Sequence, residues 1–316
     1  LMSMSIDIRA WFWESKNRVR RTTTHLGRRI ASKQRIIASL TSYPPRMATI
    51  HLAIRSILAQ RTLPDKVVLW LYEGDFPNRE ADLPDTLMHL IGHDVVIRWV
   101  SENLKPHKKY YWALQEFSKD LVITFDDDLV YPNTYISELM KHIGRIPGGI
   151  AARTHLMMFN EDGSLKPYDQ WIYEAPARYP SMVNKPSMRL FATSAPEPFP
   201  PECDAFQDFR HGCNSRYSLN ADDVWLKVMQ VIGHVPVVAA TANQIIANIP
   251  LAEAQTRNRL AYVPDTQEEA LCHANTEAGG NDVILADTLA YPTVHNALKE
   301  AFPLLVRDDA LDKFLR

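Results

Sequence analysis

Three consecutive aspartates, Asp126, Asp127 and Asp128, directly follow an apolar, β-branched segment at residues 121–125. Adjacent carboxylates repel one another and resist burial, so a fold that places them at the end of a core strand normally supplies a cation. In an extended backbone Asp126 and Asp128 project to the same side and can reach one ion. Mg²⁺ and Mn²⁺ take such oxygen ligands together with water and phosphates. The triplet predicts a metal site, with a turn or cap before a helix near 131–133 as the alternative.

Alternating strands and helices position this triplet. Apolar runs predict strands at 35–41, 66–72, 94–100 and 121–125, and helical spacing predicts helices at 47–58, 83–92, 106–119 and 132–144. Strands that alternate with helices need crossover connections, which predicts a mostly parallel sheet covered by helices on both faces. In such sheets ligands bind outside the carboxyl ends of the strands. The polar segments that follow the four strands should therefore converge on one crevice.

The second half of the chain follows a different pattern. Residues 153–218 lack periodicity and are rich in Pro, Tyr and Phe, which predicts binding loops or a lid. A helix is predicted at 220–233, with an asparagine cap and two acidic residues in its first turn. Helical runs predicted at 266–274, 282–289 and 296–315 form a C-terminal helical layer. We therefore predict a basic N-terminal helical arm (1–34), a catalytic domain (35–250) and a C-terminal helical extension packed on it (251–316).

Composition excludes some classes of function. The 316 residues are 46% hydrophobic with a net charge of -2, so they give no reason to expect a nucleic-acid partner. Three cysteines fit a reducing compartment, and the absence of a membrane-length apolar run or a secretory signal predicts a cytoplasmic protein. The basic N-terminus with its aromatic residues 11–13 predicts either peripheral contact with the inner face of the membrane or a helix packed on its own domain.

Several short motifs resemble, in their order and spacing, bacterial polysaccharide glycosyltransferases of the GT-A fold, some of which are galactofuranosyltransferases. The resemblance covers roughly residues 35–290. It implies an α/β fold with a Rossmann-like, mostly parallel sheet, irregular acceptor-binding loops and a C-terminal helical layer. It also implies an inverting enzyme that transfers a sugar from a nucleotide-sugar donor to a saccharide or lipid-linked saccharide. The donor is expected to be UDP-linked, with UDP-galactofuranose as one candidate. The motifs are Ser39-Leu40-Thr41-Ser42-Tyr43-Pro44-Pro45-Arg46, Lys108-Lys109-Tyr110, the aspartate triplet, Arg153-Thr154-His155, Tyr168-Asp169-Gln170-Trp171 and Asn220-Ala221-Asp222-Asp223-Val224-Trp225-Leu226.

The same resemblance implies how the metal and the donor are bound. Asp126 and Asp128 correspond to the ligands of Mn²⁺ or Mg²⁺ at the donor diphosphate, and His273 is the preferred candidate for a third ligand, ahead of His295. Asp127 is expected at ribose or sugar hydroxyls. The expected nucleotide contacts are Thr41, Ser42 and Arg46, and either Lys108 or Lys109 is expected at a phosphate unless the two lysines are a solvated pair.

For the acceptor side, the resemblance implies a general base at the second acidic motif. Asp223 is the first candidate and Asp222 the second, while charge complementation at a helix start explains one of the two acids without catalysis. The remaining acceptor or sugar contacts are expected from Arg153, His155, Tyr168 and Trp171. Tyr168 and Trp171 either stack on a sugar ring or belong to the core.

Other classes of protein share parts of this pattern. Residues 126–130 also match the haloacid-dehalogenase phosphatase motif, with Asp126 as nucleophile and Asp128 as acid/base. That fold needs a later acidic pair after an apolar strand, whereas Asp222 and Asp223 follow a polar segment. A nucleotidyltransferase has the same sheet topology but needs a Gly-rich loop where this chain has residues 42–46. A non-catalytic sugar-binding protein needs neither acidic motif.

Overall fold

A computed structural model describes residues 35–141, 149–151, 153–156, 158, 160, 166–171, 184–188, 222, 224, 225, 237–239, 250–257, 259–264, 266, 280–290, 292, 295 and 296. Its centre is a sheet of four parallel strands, in the order β3-β2-β1-β4. The predicted α/β class with a parallel sheet is thus confirmed. The strands are β1 (Ile36–Thr41), β2 (Lys66–Tyr72), β3 (Val95–Val100) and β4 (Leu121–Phe125).

Helices cover both faces of this sheet. They are α1 (Ile50–Leu58), α2 (Asp85–Met88), α3 (Lys108–Glu116) and α4 (Tyr135–Met140). Side chains of α1, α2 and α4 pack in one buried cluster with Ala38, Leu69 and Ile123. Ala113 of α3 packs on the opposite face with Ile37 and Val122. Because both faces are buried, successive residues of each strand are apolar, and this explains the continuous apolar runs in the sequence.

Further elements lie beside the sheet. The short strands β5 (Leu129–Val130) and β10 (Ala261–Tyr262) pair antiparallel. A parallel pair is formed by β6 (Gly149–Ala151) and β9 (Val237–Ala239), and an antiparallel pair by β7 (Arg153–Leu156) and β8 (Asn184–Met188). Two helices follow in the C-terminal part, α5 (Leu251–Thr256) and α6 (Gly280–Ala290). None of the described helices combines the length and apolarity that a bilayer crossing requires.

The described elements differ from the predicted ones in three places. The helix predicted at 83–92 is only the four-residue α2, because Pro84 holds an extended backbone before it and a turn ends it at His89. The predicted irregular stretch contains β7 and β8. The C-terminal extension contributes β10, and Leu260 joins the main core cluster. The helix predicted at 282–289 is present as α6.

Several predicted segments fall outside the described residues. These are the N-terminal arm at 1–34 and nearly all of the helical runs at 266–274 and 296–315. The predicted domain boundaries therefore stay predictions.

Gln60, just after α1, ties that helix to the segment that follows the acidic triplet. Its side-chain amide donates to the carbonyl groups of Ser56 and Pro132, at 3.1 and 2.7 Å. Its carbonyl accepts from the Ile136 N–H at 3.0 Å, a donor in the first turn of α4 that has no partner within the helix. Ser56 supports the same segment, because its hydroxyl oxygen accepts from the Tyr131 N–H at 3.0 Å. All of these bonds are buried, so α1 fixes the segment that carries the aspartates.

We expect the Gln60→Met substitution to destabilise the fold by about 2 kcal/mol, because it leaves the buried Ile136 N–H without an acceptor at nearly unchanged side-chain volume. The measurement is the free energy of unfolding in urea. Gln115→Met is the matched control, since the Gln115 amide is exposed and donates only to its own helix. If the two variants are equally stable, Gln60 does not hold α1 to the segment that follows the acidic triplet.

Candidate functional site

The crevice between the carboxyl ends of β1 and β4 is the place where the topology of the sheet reverses. From β1 the chain moves to β2 and β3 on one side, and then returns to place β4 on the other side of β1. In open α/β sheets such a switch point is the usual ligand site. Ser42 follows β1 and the aspartate triplet follows β4, and the Ser42 hydroxyl donates to Asp127 Oδ2 at 2.5 Å. The two predicted motifs therefore meet across this crevice.

The three aspartates form a turn, which we call the acidic turn. Strand β4 ends at Phe125, and Asp127 and Asp128 have turn geometry before β5 begins. Asp127 and Asp128 both face Arg46, whose Nη1 lies 3.9 Å from Asp127 Oδ1 and 3.4 Å from Asp128 Oδ2. Asp126 instead contacts Lys109. The assumption of an extended backbone through Asp128 is therefore wrong, because the alternation of side chains stops with the strand.

Tyr131 holds the backbone of the acidic turn. Its hydroxyl oxygen accepts from the Asp126 N–H at 2.7 Å, and its ring packs against Phe125 with the centroids 4.8 Å apart. Burial raises the pKa of Tyr131 well above its usual value, so the hydroxyl stays protonated. On the other side of the turn, the Val263 N–H donates to the Asp128 carbonyl at 2.8 Å. The turn is thus fixed by its backbone, and the carboxylates are left to face the crevice.

Arg46 is a buried cation at the end of the 3₁₀ turn Pro44–Arg46, only 4% exposed. Burial alone would lower its pKa, but the charges of Asp127 and Asp128 outweigh this and raise the Arg46 pKa above its usual value. Within the part of the chain that the structure describes, its Nε and Nη1 atoms have no hydrogen-bond acceptor. A buried guanidinium with two donors in reserve is suited to an anionic or carbonyl group of a ligand.

The pKa of the Asp127 carboxyl lies above its usual value. Burial and the neighbouring charge of Asp128 raise its pKa to about 6, while Arg46 and the Ser42 hydroxyl act in the opposite direction. Arg46 and Ser42 therefore do not bring the pKa of Asp127 down to its usual value. An additional cation at this turn would stabilise its ionised form.

The two lysines at the start of α3 are both buried, at 2% exposure. The alternative of a solvated pair is therefore wrong. Lys108 Nζ donates to Asn103 Oδ1 at 2.9 Å, and Lys109 Nζ donates to Asp126 Oδ1 at 2.6 Å and lies 3.3 Å from Asp222 Oδ2. Burial lowers the pKa of Lys108 to about 8, although the charges of Asp75 and Asp127 oppose this. Both ammonium groups thus belong to the crevice.

The second acidic motif is described only in part. Asp222 is helical, fully buried and close to Lys109, and Val224 and Trp225 of the same segment are buried as well. Asp223, the first candidate for the base, lies outside the described residues, as does His273. Their functions stay predictions.

The remaining predicted contacts are Thr41, Tyr168, Trp171, Arg153 and His155. The Thr41 hydroxyl donates to the Trp70 carbonyl at 2.8 Å, so it completes the hydrogen bonds of the sheet edge. Tyr168 and Trp171 are buried and pack on each other with the ring centroids 4.8 Å apart, which favours the core alternative over an open sugar platform. Arg153 and His155 belong to β7. Their contacts with an acceptor stay predictions.

A divalent cation fits this site only as an ion shared with a ligand. Among the described residues, no group of three or more His, Cys, Asp or Glu side chains is arranged to hold a metal ion. The carboxylates of the acidic turn are half-buried oxygen donors, which suits Mg²⁺ or Mn²⁺ bound by one or two carboxylates and completed by phosphates and water. Asp126 and Asp128 remain the candidates for these ligands.

Two residues that contribute to the site, Tyr131 and Asn103, have no signal in the sequence motifs, and a third, Asp75, is marked only by its place in the polar segment after the second strand. Tyr131 looks like part of a helix start, yet its hydroxyl group bonds to the backbone of the acidic turn. Asn103 follows β3, and its side-chain oxygen accepts a hydrogen bond from the Lys108 ammonium. Asp75 follows β2, and its negative charge acts to raise the pKa of Lys108. Only their position after predicted strands could have drawn attention to the last two.

Comparison with known proteins gives limited guidance. No protein-family model and no curated protein matches the chain. Among solved structures it is similar to 4-diphosphocytidyl-2C-methyl-D-erythritol synthase from Anaerococcus prevotii DSM 20548, with a TM-score of 0.40 and 12% sequence identity. The similarity covers 78% of this chain and 96% of that chain.

We expect Lys108→Met to make the protein more stable at pH 7, by at most about 3 kcal/mol, because burial holds the Lys108 pKa at about 8. In the unfolded chain the Lys108 ammonium keeps its proton up to about pH 10.5, whereas in the folded protein it loses it near pH 8. The unfolded state therefore binds more protons between pH 8 and 10.5, so the stability of the wild-type protein should rise over this range and the advantage of the variant should shrink. Thermal unfolding at pH 7 and pH 9.5 measures both effects. The exposed Lys119→Met is the control, and a less stable Lys108→Met at pH 7 would contradict the prediction.

Proposed function

We propose that this chain is a metal-dependent, inverting glycosyltransferase that uses a nucleotide-sugar donor. The donor is UDP-linked, with UDP-galactofuranose as the first sugar to test, and the acceptor is a saccharide or lipid-linked saccharide of a bacterial surface polysaccharide. The observation that carries this proposal is the juxtaposition of buried Arg46 and the acidic turn in the switch-point crevice between β1 and β4. Such a crevice can bind an anionic nucleotide and a cation side by side.

Arg46 supports the nucleotide half of this proposal. Its two buried donors, Nε and Nη1, need acceptors, and a nucleotide offers phosphate and carbonyl oxygens. Lys108, whose ammonium donates to Asn103 Oδ1, adds a second buried cation near Asp127. We assign Arg46 and Lys108 to the donor, and Ser42 to the placement of Asp127, which its hydroxyl already contacts.

Asp126 and Asp128 support the metal half. When Mn²⁺ or Mg²⁺ is bound there with the donor, it would neutralise the nucleoside diphosphate that leaves as the glycosidic C–O bond breaks. Arg46 offsets part of the charge of Asp127 and Asp128, and Lys109 offsets part of that of Asp126, so the turn can hold a cation without three uncompensated carboxylates. The same residues would keep the turn folded before the donor arrives.

Asp223 is our candidate for the general base. It would take the proton from the acceptor hydroxyl as that oxygen attacks the anomeric carbon opposite the leaving group, which inverts the configuration in one displacement. Asp222 is less suited to this task, because its carboxylate is fully buried beside Lys109 and an acceptor hydroxyl could not reach it. The N-terminal arm, with its contact to a membrane surface, remains part of the proposal for a lipid-linked acceptor.

A screen of nucleotide sugars with and without Mn²⁺ tests the proposal directly. A ligand that binds only the folded state raises the melting temperature, so a UDP-sugar should do so most strongly when Mn²⁺ is present. UDP release from the same sugar in the presence of acceptor then measures transfer. If the protein instead releases phosphate from phosphosugars, the phosphatase alternative with Asp126 as nucleophile is correct.

The two acidic motifs should separate in function. We expect Asp128→Ala to abolish Mn²⁺-dependent UDP binding, because a cation ligand is lost, and Asp223→Ala to keep binding and lose turnover, because the base is lost. Calorimetry with UDP and Mn²⁺ and a transfer assay measure the two effects. Asp85→Ala, an exposed aspartate at the start of α2, is the control. Full Mn²⁺-dependent binding by Asp128→Ala, or full turnover by Asp223→Ala, would contradict these assignments, and UDP-sugar binding without any transfer by the wild-type chain would support a non-catalytic sugar-binding protein.

For Arg46→Met we expect UDP to bind at least about tenfold more weakly, because hydrogen bonds from a charged donor contribute about 1.5–3 kcal/mol. Titration calorimetry with UDP in the presence of Mn²⁺ gives the dissociation constant. Arg98→Met is the matched control, since Arg98 is partly exposed and forms an ion pair with Glu116. Unchanged UDP affinity of Arg46→Met would remove Arg46 from the donor site.

A further inference from the structure

Lys109 connects two acidic segments that lie far apart in the sequence. Its ammonium nitrogen is 2.6 Å from Asp126 Oδ1 in the acidic turn and 3.3 Å from Asp222 Oδ2 in the second acidic motif. The lysine side chain is 2% exposed and the Asp222 side chain is fully buried. One buried cation is therefore shared between the segment assigned to the donor and the segment assigned to the acceptor.

The backbone of Lys109 is anchored independently of this ammonium group. The Ser39 hydroxyl donates to the Lys109 carbonyl at 2.5 Å, and Trp70 Nε1 donates to the same hydroxyl oxygen at 2.8 Å. Ser39 belongs to β1 and Trp70 to β2, and both are buried. The first turn of α3 is thus fixed to the two central strands. The backbone from which the Lys109 side chain extends is therefore held in place by the sheet.

The charges at this bridge depend on one another. A buried ammonium or carboxylate is strongly unfavourable alone, and removing one partner leaves the other uncompensated. Asp222 Oδ2 and Lys109 Nζ, 3.3 Å apart and both buried, are such a pair. The neighbouring Val224 and Trp225 are buried, so the whole described part of that segment is docked into the protein.

We propose that Lys109 is a positioning residue that sets the spacing between the acidic turn and the segment of Asp222, and that Asp222 is the anchor of that segment. The proposal rests on the proposed function, because Lys109 connects the segment assigned to the donor with the segment assigned to the acceptor. Lys109 has a second effect on Asp126. Its ammonium occupies one carboxylate oxygen and repels any cation that approaches that carboxylate.

The test uses the full chain and four variants: Lys109→Met, Asp222→Asn, the double variant, and exposed Lys119→Met as control. With a UDP-sugar, Mn²⁺ and acceptor, we expect Asp222→Asn to lower kcat about tenfold and Lys109→Met about a hundredfold, with donor KM nearly unchanged. The double variant should be no slower than Lys109→Met, because both substitutions break the same bridge. If Asp222→Asn is as inactive as Asp223→Ala, or if the two effects multiply, the proposal is wrong.

Two further measurements do not depend on transfer. Removing the ammonium should tighten Mn²⁺ binding without nucleotide by about tenfold in the double variant, whereas a residue with only a structural task would leave it unchanged or weaken it. In thermal unfolding, the double variant should be more stable than Lys109→Met, because it removes both members of the buried Lys109–Asp222 ion pair instead of one. If Lys109→Met does not fold, Asp222→Asn and the double variant carry the test.

These two readouts also separate the two proposals. If the wild-type chain shows no transfer activity at all, the proposed function is wrong. Additive thermal effects together with unchanged Mn²⁺ affinity would overturn the bridge.

Discussion

The structure of the crevice depends on one electrostatic constraint, which is that several carboxylates end at the same edge of the sheet and must be compensated there. Two cations come from opposite directions. Arg46 reaches the acidic turn from the loop after β1, and Lys109 reaches it from the helix before β4. Each is buried, and neither would be tolerated in the interior without the carboxylates. The compensation of charge at the site and the packing of the elements that carry these two cations therefore depend on each other. Any ligand that enters must fit into this balance, and an anion together with a divalent cation does so with little change in net charge.

A second requirement is that the turn itself be rigid, since three like charges would otherwise move apart. Its backbone is held from within by the Tyr131 hydroxyl and from a distant part of the chain by the Val263 N–H. Behind it, Gln60 and Ser56 at the end of α1 fix the segment from Tyr131 to Ile136. Apart from the backbone hydrogen bond of Val263, these contacts use polar side chains that are buried and hydrogen-bonded, and such networks specify a single arrangement more strictly than apolar packing does. The preorganisation is therefore built into the scaffold.

The sheet could be predicted from the sequence because both of its faces are buried, so that each strand is a continuous apolar run with a clear end. The place of the site followed from the same runs, since polar residues came directly after them. The directions of the side chains could not be predicted in the same way. Asp128 turns toward Arg46 because the extended backbone ends at Phe125, and no pattern of residue types marks that change. The burial of Lys109 depends on Asp222, a partner that only the folded chain brings near. Tyr131 illustrates the same limit, because its hydroxyl contact is with a backbone group.

The contact of Val263 with Asp128, and the pairing of β10 with β5, also bear on the order in which this protein is assembled during synthesis. The strands of the central sheet and the acidic turn are all made before residue 131, whereas the residues that close the turn come more than a hundred positions later. Contacts of such sequence separation form late, because the intervening chain must first be brought together. A nascent chain on the ribosome can therefore complete its sheet long before it has a fixed acidic turn. The acidic turn gains these contacts only when the C-terminal part has emerged, so the last step in fixing the turn follows the synthesis of residues 261–263.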